Sequence, residues 1–357
     1  MKQGWEIKKL GEVCDIINGR NQKLVECTDG KYPIYGSGGI MGYASQFLCK
    51  EGTTIIGRKG TINKPIYVEE PFWNVDTAFG LQPKDTLNSK LLHYFCLHFD
   101  FLKLNKGTTI PSLVKADLLQ IDIPYIPSLA EQERIVEILD REFEKIDALK
   151  ENAEKNLQHA KDLFQSALKQ ELQPKEGWAT KTISEISENL DYRRVPVTKK
   201  DSSVGVYPYY GASGIVDYVD GFLFDENLLL VSEDGANLLA RSTPIAFSVS
   251  GKIWVNNHAH ILRFPNIELQ RYVEYFFAGL DISEYVTGAA QPKFNQKALN
   301  SILISYPPKV LEQQELVEHL DKLEENCRTL EENYTKTIAL CDDMKQALLR
   351  KAFNGEL

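Results

Sequence analysis

The six cysteines, Cys14, Cys27, Cys49, Cys96, Cys327 and Cys341, form no CxxC pair. That spacing supports neither a zinc ribbon nor a redox motif, and they read as buried thiols, not as a disulfide framework. No apolar run approaches the roughly 20 residues that a membrane span requires. Met1-Lys2-Gln3-Gly4-Trp5 leads into no hydrophobic signal core, so a cytosolic protein is expected. Gly36-Ser37-Gly38-Gly39 lacks the GxxxxGK[ST] spacing of a phosphate loop, and the chain has no HExxH and no convincing nucleophile–base set. Positive charge is also in deficit: 41 Lys and Arg against 50 Asp and Glu give a net charge of −9. The deficit is local. Residues 1–128 carry 15 basic and 13 acidic side chains and residues 178–309 carry 12 and 14, whereas 129–177 carry 8 and 12 and 310–357 carry 6 and 11. Most of the acidity therefore sits on two stretches, and basic patches remain allowed elsewhere.

Those two stretches are also poor in helix breakers. After Pro127-Ser128 neither proline nor glycine recurs until Pro174, and glutamates crowd the first turns, where the helix dipole favours them. Leu139, Phe143, Ile146, Leu149, Ala153, Leu157, Ala160, Phe164 and Ala167 recur every three or four residues, which predicts one apolar stripe on a helix of roughly 60 Å. Pro307-Pro308 opens a second such stretch with the stripe Leu316, Leu320, Leu323, Cys327, Leu330, Tyr334, Ile338, Cys341, Met344 and Leu348. Glu131-Gln132, Val136, Leu139 and Asp140 return 181 residues later as Glu312-Gln313, Val317, Leu320 and Asp321. Two copies of one long amphipathic helix predict a coiled-coil pair. The alternative is two unrelated surface helices on separate cores, and the shared motif and length count against it.

The repeat extends through the rest of the chain. Trp5, Leu10 and Val13 return as Trp178, Ile183 and Ile186. Tyr32-Pro33-Ile34-Tyr35-Gly36 returns at an offset of 175 as Tyr207-Pro208-Tyr209-Tyr210-Gly211. Trp73, Ala78, Gly107, Pro111, Leu118 and Tyr125 return at 181 as Trp254, Ala259, Gly288, Pro292, Leu299 and Tyr306. Each repeat predicts an α+β segment followed by a long helix. The domains read as 1–128, a central helix over 129–172, a linker over 173–177, a second domain over 178–309, and a C-terminal helix over 310–357. Predicted strands are Tyr32–Tyr35, Thr53–Ile56 and Pro65–Val68, with Leu228–Ser232, Ile245–Val249 and Lys252–Val255 in the second copy. Short helices are predicted over Ser89–Phe101 and Leu269–Phe277.

This order of elements, written twice, resembles the specificity subunit of type I restriction–modification systems along nearly the whole chain. The resemblance rests on Gly-Trp-Glu-Ile-Lys-Lys-Leu-Gly-Glu-Val, Pro-Ile-Tyr-Gly-Ser-Gly-Gly, Trp-Val-Asn-Asn-His-Ala-His-Ile-Leu and Pro-Ser-Leu-Ala-Glu-Gln-Glu. It implies two tandem target-recognition domains, separated by two helices in an antiparallel coiled coil with a pseudo-two-fold repeat. Each domain would read half of a bipartite, interrupted site in double-stranded DNA, with the helices setting the gap. It implies two methyltransferase (modification) subunits carrying S-adenosylmethionine and two restriction/translocase subunits using ATP and Mg as partners, with no cofactor, metal or catalytic residue on this chain. The chain holds no Asn-Pro-Pro-aromatic motif of adenine methyltransferases, which agrees with that division. It is compact for the family, and Gly57-Arg58-Lys59-Gly60 becomes Ser232-Glu233-Asp234-Gly235 in the second copy. A standalone DNA-binding scaffold and an enzyme with an unrecognised site are the alternatives.

A DNA-reading surface needs cations for phosphates and amides or guanidinium groups for base edges, on loops where backbone can approach. In the first domain the candidates are Arg20, Asn21, Lys23, Ser37, Arg58, Lys59, Lys64, Thr108 and Thr109. In the second they are Arg193, Arg194, Lys199, Lys200, Ser213, Arg241, Lys252, Gln291 and Lys293. Taken singly, a surface Lys or Arg is better explained as a solubilising charge. Arg58-Lys59 and Arg193-Arg194 stand out as paired cations on loops. His258 and His260, two apart on a predicted strand, would face one side and could bind zinc. Their counterparts in Val75-Asp76-Thr77-Ala78 are not histidines, so a structural hydrogen-bonding role is the better reading.

Overall fold

The computed structural model describes residues 4–197, 205–288 and 290–357. They form two compact units, Met1–Glu154 with Thr335–Leu357, and Lys155–Tyr334. Each unit combines a globular stretch with part of both long helices.

In the first unit a four-stranded antiparallel sheet runs in the order Cys14–Asn18, Ala78–Pro83, Thr53–Gly57, Ile66–Val68. Thr53–Gly57 is buried throughout because both of its faces are covered. Ile56 packs into the main core with Leu10, Phe79 and Leu92, while Ile55 joins Cys49, Phe72 and Ala78 on the other side. A smaller sheet holds Gly39–Ala44, Tyr32–Gly36 and Trp73–Asn74, the last two parallel. Glu6–Lys9 pairs with Asp122–Tyr125, closing the globular stretch just before the long helix. That closure, and its counterpart Ala179–Thr182 with Leu303–Tyr306, had no signal in the sequence reading.

The second unit repeats this plan. Its main sheet is Glu188–Asn189, Ala259–Arg263, Leu228–Ser232, Ala246–Val249, and its smaller one is Gly214–Val219, Tyr207–Gly211, Lys252–Val255, Phe224–Asp225. The hairpins match residue for residue: a bulge precedes Tyr35↔Ile40 in one and Tyr210↔Ile215 in the other. Both tight turns end on a glycine at φ near +120°, Gly39 and Gly214, where a side chain would be strained. The predicted helix over Ser89–Phe101 stops at His98. Asp100 then opens a short 3-10 turn over Phe101–Leu104 by accepting from the Leu102 N–H. Its counterpart is longer than predicted, Ile267–Gly279, started by Asn266, whose side chain accepts from the Leu269 N–H.

The long helices are Leu129–Glu171 and Val310–Phe353. Leu139, Ile146, Ala153 and Ala160 are buried at intervals of seven, as are Leu320, Cys327 and Cys341 at seven and fourteen, the spacing of a coiled-coil seam. The pair is antiparallel: the first unit holds the start of one helix and the end of the other. There Lys150 Nζ lies 2.7 Å from Asp342 Oδ1, and Lys345 pairs with Asp147. Leu349, Ala352 and Phe353 enter the first core beside Ile135, Val136 and Leu139. In the second unit Leu168 enters the core with Val317, Leu320 and Tyr272. Leu149, Leu330 and Met344, assigned to the stripes from spacing, remain substantially exposed on the flank of a narrow seam.

Two polar joints recur at the 181-residue offset. Gln132, fully buried, donates from Nε2 to Ile126 O (2.8 Å) and Thr86 O (3.0 Å) and accepts from Asn88 N–H (2.7 Å). Gln313 donates to Pro307 O (2.8 Å), while its Oε1 finds no partner. Asp140 accepts from Lys90 Nζ (2.8 Å) and Tyr94 OH (2.6 Å), and Asp321 accepts from Arg271 Nη2 (2.7 Å) and Tyr275 OH (2.5 Å). Both joints fasten a long helix to its own globular stretch. Among the described residues, no helix is long and apolar enough to cross a membrane.

Candidate nucleic-acid interface

In the first unit, backbone hydrogen bonds gather the candidate loops at one end of the sheets. Arg58 and Lys59 both donate from their backbone N–H to Thr77 O (2.8 and 3.2 Å). Gly60 N–H donates to Pro111 O and Leu113 N–H to Arg58 O (both 2.9 Å), joining the Gly57–Gly60 turn to the loop of Thr108 and Thr109. Asn105 shapes that loop, accepting on Oδ1 from Gly107 N–H (2.8 Å) and Ser112 N–H (2.9 Å). An Asn two residues before a turn glycine was the available signal, and the sequence reading missed it. Ser37 packs on Gly57, where a Cβ would lie 3.1 Å from the serine Cβ. Arg20 N–H donates to Asn74 O, and Trp73 Nε1 donates to Arg20 O (2.8 and 3.0 Å), bringing Arg20 to the same end. Asn21 accepts from Lys23 N–H (2.9 Å) in the exposed turn that follows. Lys64 lies just beyond, beside Asn63, which accepts from Phe101 N–H.

Arg20, Lys23, Arg58, Lys59 and Lys64 are all exposed. Among the described residues none of the five has an acidic partner; Arg58 only lies near the Phe79 ring, at 5.7 Å. Five uncompensated cations with threonine and serine hydroxyls between them can contact phosphates and base acceptors.

The second unit assembles the same loops with different chemistry. Gly235 N–H donates to Pro292 O (3.0 Å), and Phe294 N–H to Glu233 O (2.7 Å), as at the equivalent places in the first unit. Among the described residues its candidate arginines and Lys293, however, are committed. Arg194 differs from the expectation of an outward pair: its side chain is 16% exposed, with Nη1 at 2.5 Å from Glu233 Oε2 and donating to Ala259 O. Arg193 stacks over Phe224 (4.5 Å), donates to Leu223 O and lies 3.6 Å from Glu226. Arg241 has a left-handed backbone (φ 50°) and donates to Phe277 O and Leu280 O, capping the Ile267–Gly279 helix. Lys293 lies 3.3 Å from Glu233, and Lys252 sits over Phe222 at 4.9 Å. Ser213 and Gln291 are exposed on the hairpin turn and the 287–293 loop. Lys199 and Lys200 lie outside the described residues.

The two histidines do not converge. His258 is half exposed in a turn, with Nδ1 2.9 Å from both Asp234 oxygens. His260 is buried on the strand, its Nδ1 2.6 Å from Asp191 Oδ2 and its Nε2 donating to Phe294 O (2.8 Å). Asp191, Glu233 and His260 place ligand-type atoms within 4.8 Å of one another. Arg194 already bridges both carboxylates and both His260 nitrogens are engaged, so the group reads as a charge-compensated internal network. Burial alone would raise the Asp191 and Glu233 carboxyls. The contacts from His260 and Arg194, with the Ile261 N–H for one and Lys293 for the other, outweigh burial and hold both below their ordinary values.

The tandem fold thus carries equivalent loop clusters with different loop chemistry in its two units. Residues 2–159 and 175–340 both match the type I restriction modification DNA specificity domain, and the chain belongs to that family. It is 24% identical to the EcoKI specificity subunit of the type I restriction enzyme of Escherichia coli K12, over 100% of this chain and 90% of that one. A Haemophilus influenzae protein carrying a type I specificity-subunit name is 31% identical over 143 residues, 40% of this chain and 36% of the other. A chain solved in work on complex assembly and conformational transition of the type I restriction–modification system superposes with a TM-score of 0.80. That match covers 100% of this chain and 99% of the other at 16% identity, a likeness of fold.

Proposed function

We propose that this chain is the non-catalytic specificity subunit of a type I restriction–modification complex, with each unit reading one half of an interrupted DNA site. The observation that carries the reading is the loop cluster. One scaffold, with equivalent backbone hydrogen bonds at Gly60 and Gly235 and at Arg58 and Glu233, presents Arg58-Lys59 in one unit and Glu233-Asp234 in the other, as two readers of different half-sites would require. The first unit supplies unpaired cations for phosphate contacts and guanine acceptors. The second offers uncharged donors and acceptors on Ser213 and Gln291, with His258 held by Asp234. The antiparallel helices set the distance between the half-sites and dock the methyltransferase subunits, which carry S-adenosylmethionine and the active sites. ATP and Mg serve the restriction subunits. The test is to express the chain with its methyltransferase subunit and map adenine methylation across a genome. Methylation at one interrupted motif, dependent on this chain, is expected. Methyl transfer by the purified chain alone, or methylation indifferent to its presence, would overturn the proposal.

A further inference from the structure

The loops over 107–111 and 288–292 are closed alike in the two units but present unlike side chains. Each is tied at its base by backbone hydrogen bonds. Lys106 N–H donates to Ser112 O (3.0 Å) in the first unit. In the second, Thr287 N–H donates to Lys293 O (2.9 Å) and Lys293 N–H to Thr287 O (2.8 Å). A glycine then lets each loop fold back on itself. A Cβ on Gly107 would stand 1.8 Å from Ile110 O, and one on Gly288 would stand 2.6 Å from Gln291 O. Gly288 is also left-handed, at φ 85°. A side chain at either glycine would force the loop open.

The residue whose carbonyl meets the glycine is exposed in both units. Ile110 is 59% exposed, and Gln291, 181 residues later, is exposed at the same place. Each loop is registered against the turn that reverses charge between the units, since Lys59 bridges to Ser112 and Asp234 to Lys293. An isoleucine held out on a closed loop contributes little to packing. Nor do its neighbours extend it into an apolar patch: Thr108 and Thr109 precede it, both exposed, and the adjoining turn carries Arg58 and Lys59. A protein interface depletes charge at its centre, which does not describe this surface. The major groove fits it better. There thymine presents a single methyl group among hydrogen-bonding edges, between rims of phosphate. At the equivalent place the second unit carries an amide, whose donor and acceptor match the N7 and N6 edge of adenine.

We infer that Ile110 and Gln291 are the equivalent base-reading side chains of the two units. Ile110 meets a thymine methyl in one half-site, and Gln291 pairs with an adenine edge in the other. The inference rests on the proposed function and deepens it by naming which side chain selects which base.

The experiment uses the full chain with its partner methyltransferase subunit. Methylation mapping gives the motif. Competition binding then uses duplexes in which each thymine of the motif is replaced in turn by uracil, which lacks only the methyl group. Each adenine is likewise replaced by deaza-adenine, which lacks the N7 acceptor. Wild type should bind about fourfold more weakly with uracil at one thymine position, the worth of one buried methyl group, and Ile110→Ala should show no such loss there. Deaza-adenine at one position of the other half-site should weaken wild type about fivefold, the worth of one hydrogen bond, and Gln291→Ala should be indifferent to it. Ile110→Gln should change the methylated motif at its own position and nowhere else. Because both side chains are exposed, thermal unfolding of these variants should match wild type, and Ile110→Val, which keeps an apolar branch, should keep the uracil sensitivity. Uracil sensitivity that survived Ile110→Ala, or a motif with no sensitive thymine, would overturn the role of Ile110. Equal weakening by Ile110→Ala on every sequence would do the same, since the side chain would then be a wedge that reads no base. Deaza-adenine sensitivity that survived Gln291→Ala would overturn the role of Gln291. A wild-type chain that directed methylation to no motif would overturn the proposed function and the inference with it, a result distinct from a motif read without these side chains.

Discussion

Replacing Gln132 by leucine should damage the first unit more than Gln313→Leu damages the second, although the two glutamines occupy equivalent places. Gln132 satisfies three backbone groups. Its loss orphans Ile126 O and Asn88 N–H, while Thr86 O keeps the Tyr125 hydroxyl at 3.2 Å. Two buried groups left without partners cost about 1–3 kcal/mol each. Part of this is recovered by burying a leucine, so a net loss of about 2–4 kcal/mol is expected. Gln313→Leu orphans only Pro307 O and removes an Oε1 that is already unpartnered, so its cost should stay near 1 kcal/mol. Amide hydrogen exchange resolves the units: protection should fall across Ser89–His98 in the first variant and stay close to wild type across Ile267–Gly279 in the second. Equal losses, or a larger loss at Gln313, would show that these hydrogen bonds do not decide how the long helices are fastened.

The Asp191–Glu233–Arg194–His260 network should make the second unit acid-sensitive. Both carboxyls have folded pKa values below their unfolded ones. Their stabilisation is therefore complete above the ordinary values of 3.8 and 4.5 and is lost as pH falls through the depressed ones. Exchange protection of Ala259–Arg263 should drop below about pH 4 before that of Ala78–Pro83; simultaneous loss would contradict the assignment. Arg58→Ala should weaken DNA binding by about 1–3 kcal/mol if a base edge is read, and Lys59→Ala should lower the salt slope by about 1 if a phosphate is held. Arg194→Ala should act on stability instead, costing the second unit about 3 kcal/mol by removing the cation that Asp191 and Glu233 share, with the first half-site still bound normally. A variant that folded as wild type but lost DNA binding would return Arg194 to the reading surface.

The helices and the repeat were legible because both are written in local spacing. Proline and glycine frame the helices, and the recurring Gln132/Gln313 and Asp140/Asp321 pairs proved to be the residues that fasten each helix to its unit. The hairpins were not read, although Gly36–Gly39 and its copy carried the turn signal. The closing pairs, Glu6–Lys9 with Asp122–Tyr125 and Ala179–Thr182 with Leu303–Tyr306, were not legible. Each joins segments more than 100 residues apart, and neither strand alternates in polarity strongly enough to announce itself. The candidate cations were named loop by loop, and sequence could not say which of them were spent internally. Arg58 and Arg194 look alike as loop arginines; only the fold brings Glu233 to one of them and nothing acidic to the other.

Exchanging residues 1–128 for the equivalent stretch of a different specificity subunit, then mapping adenine methylation with the same partner subunits, tests most directly whether the two units read DNA independently. The account predicts that one half of the interrupted motif changes while the other half is retained. A change in both halves, or in neither, would contradict it.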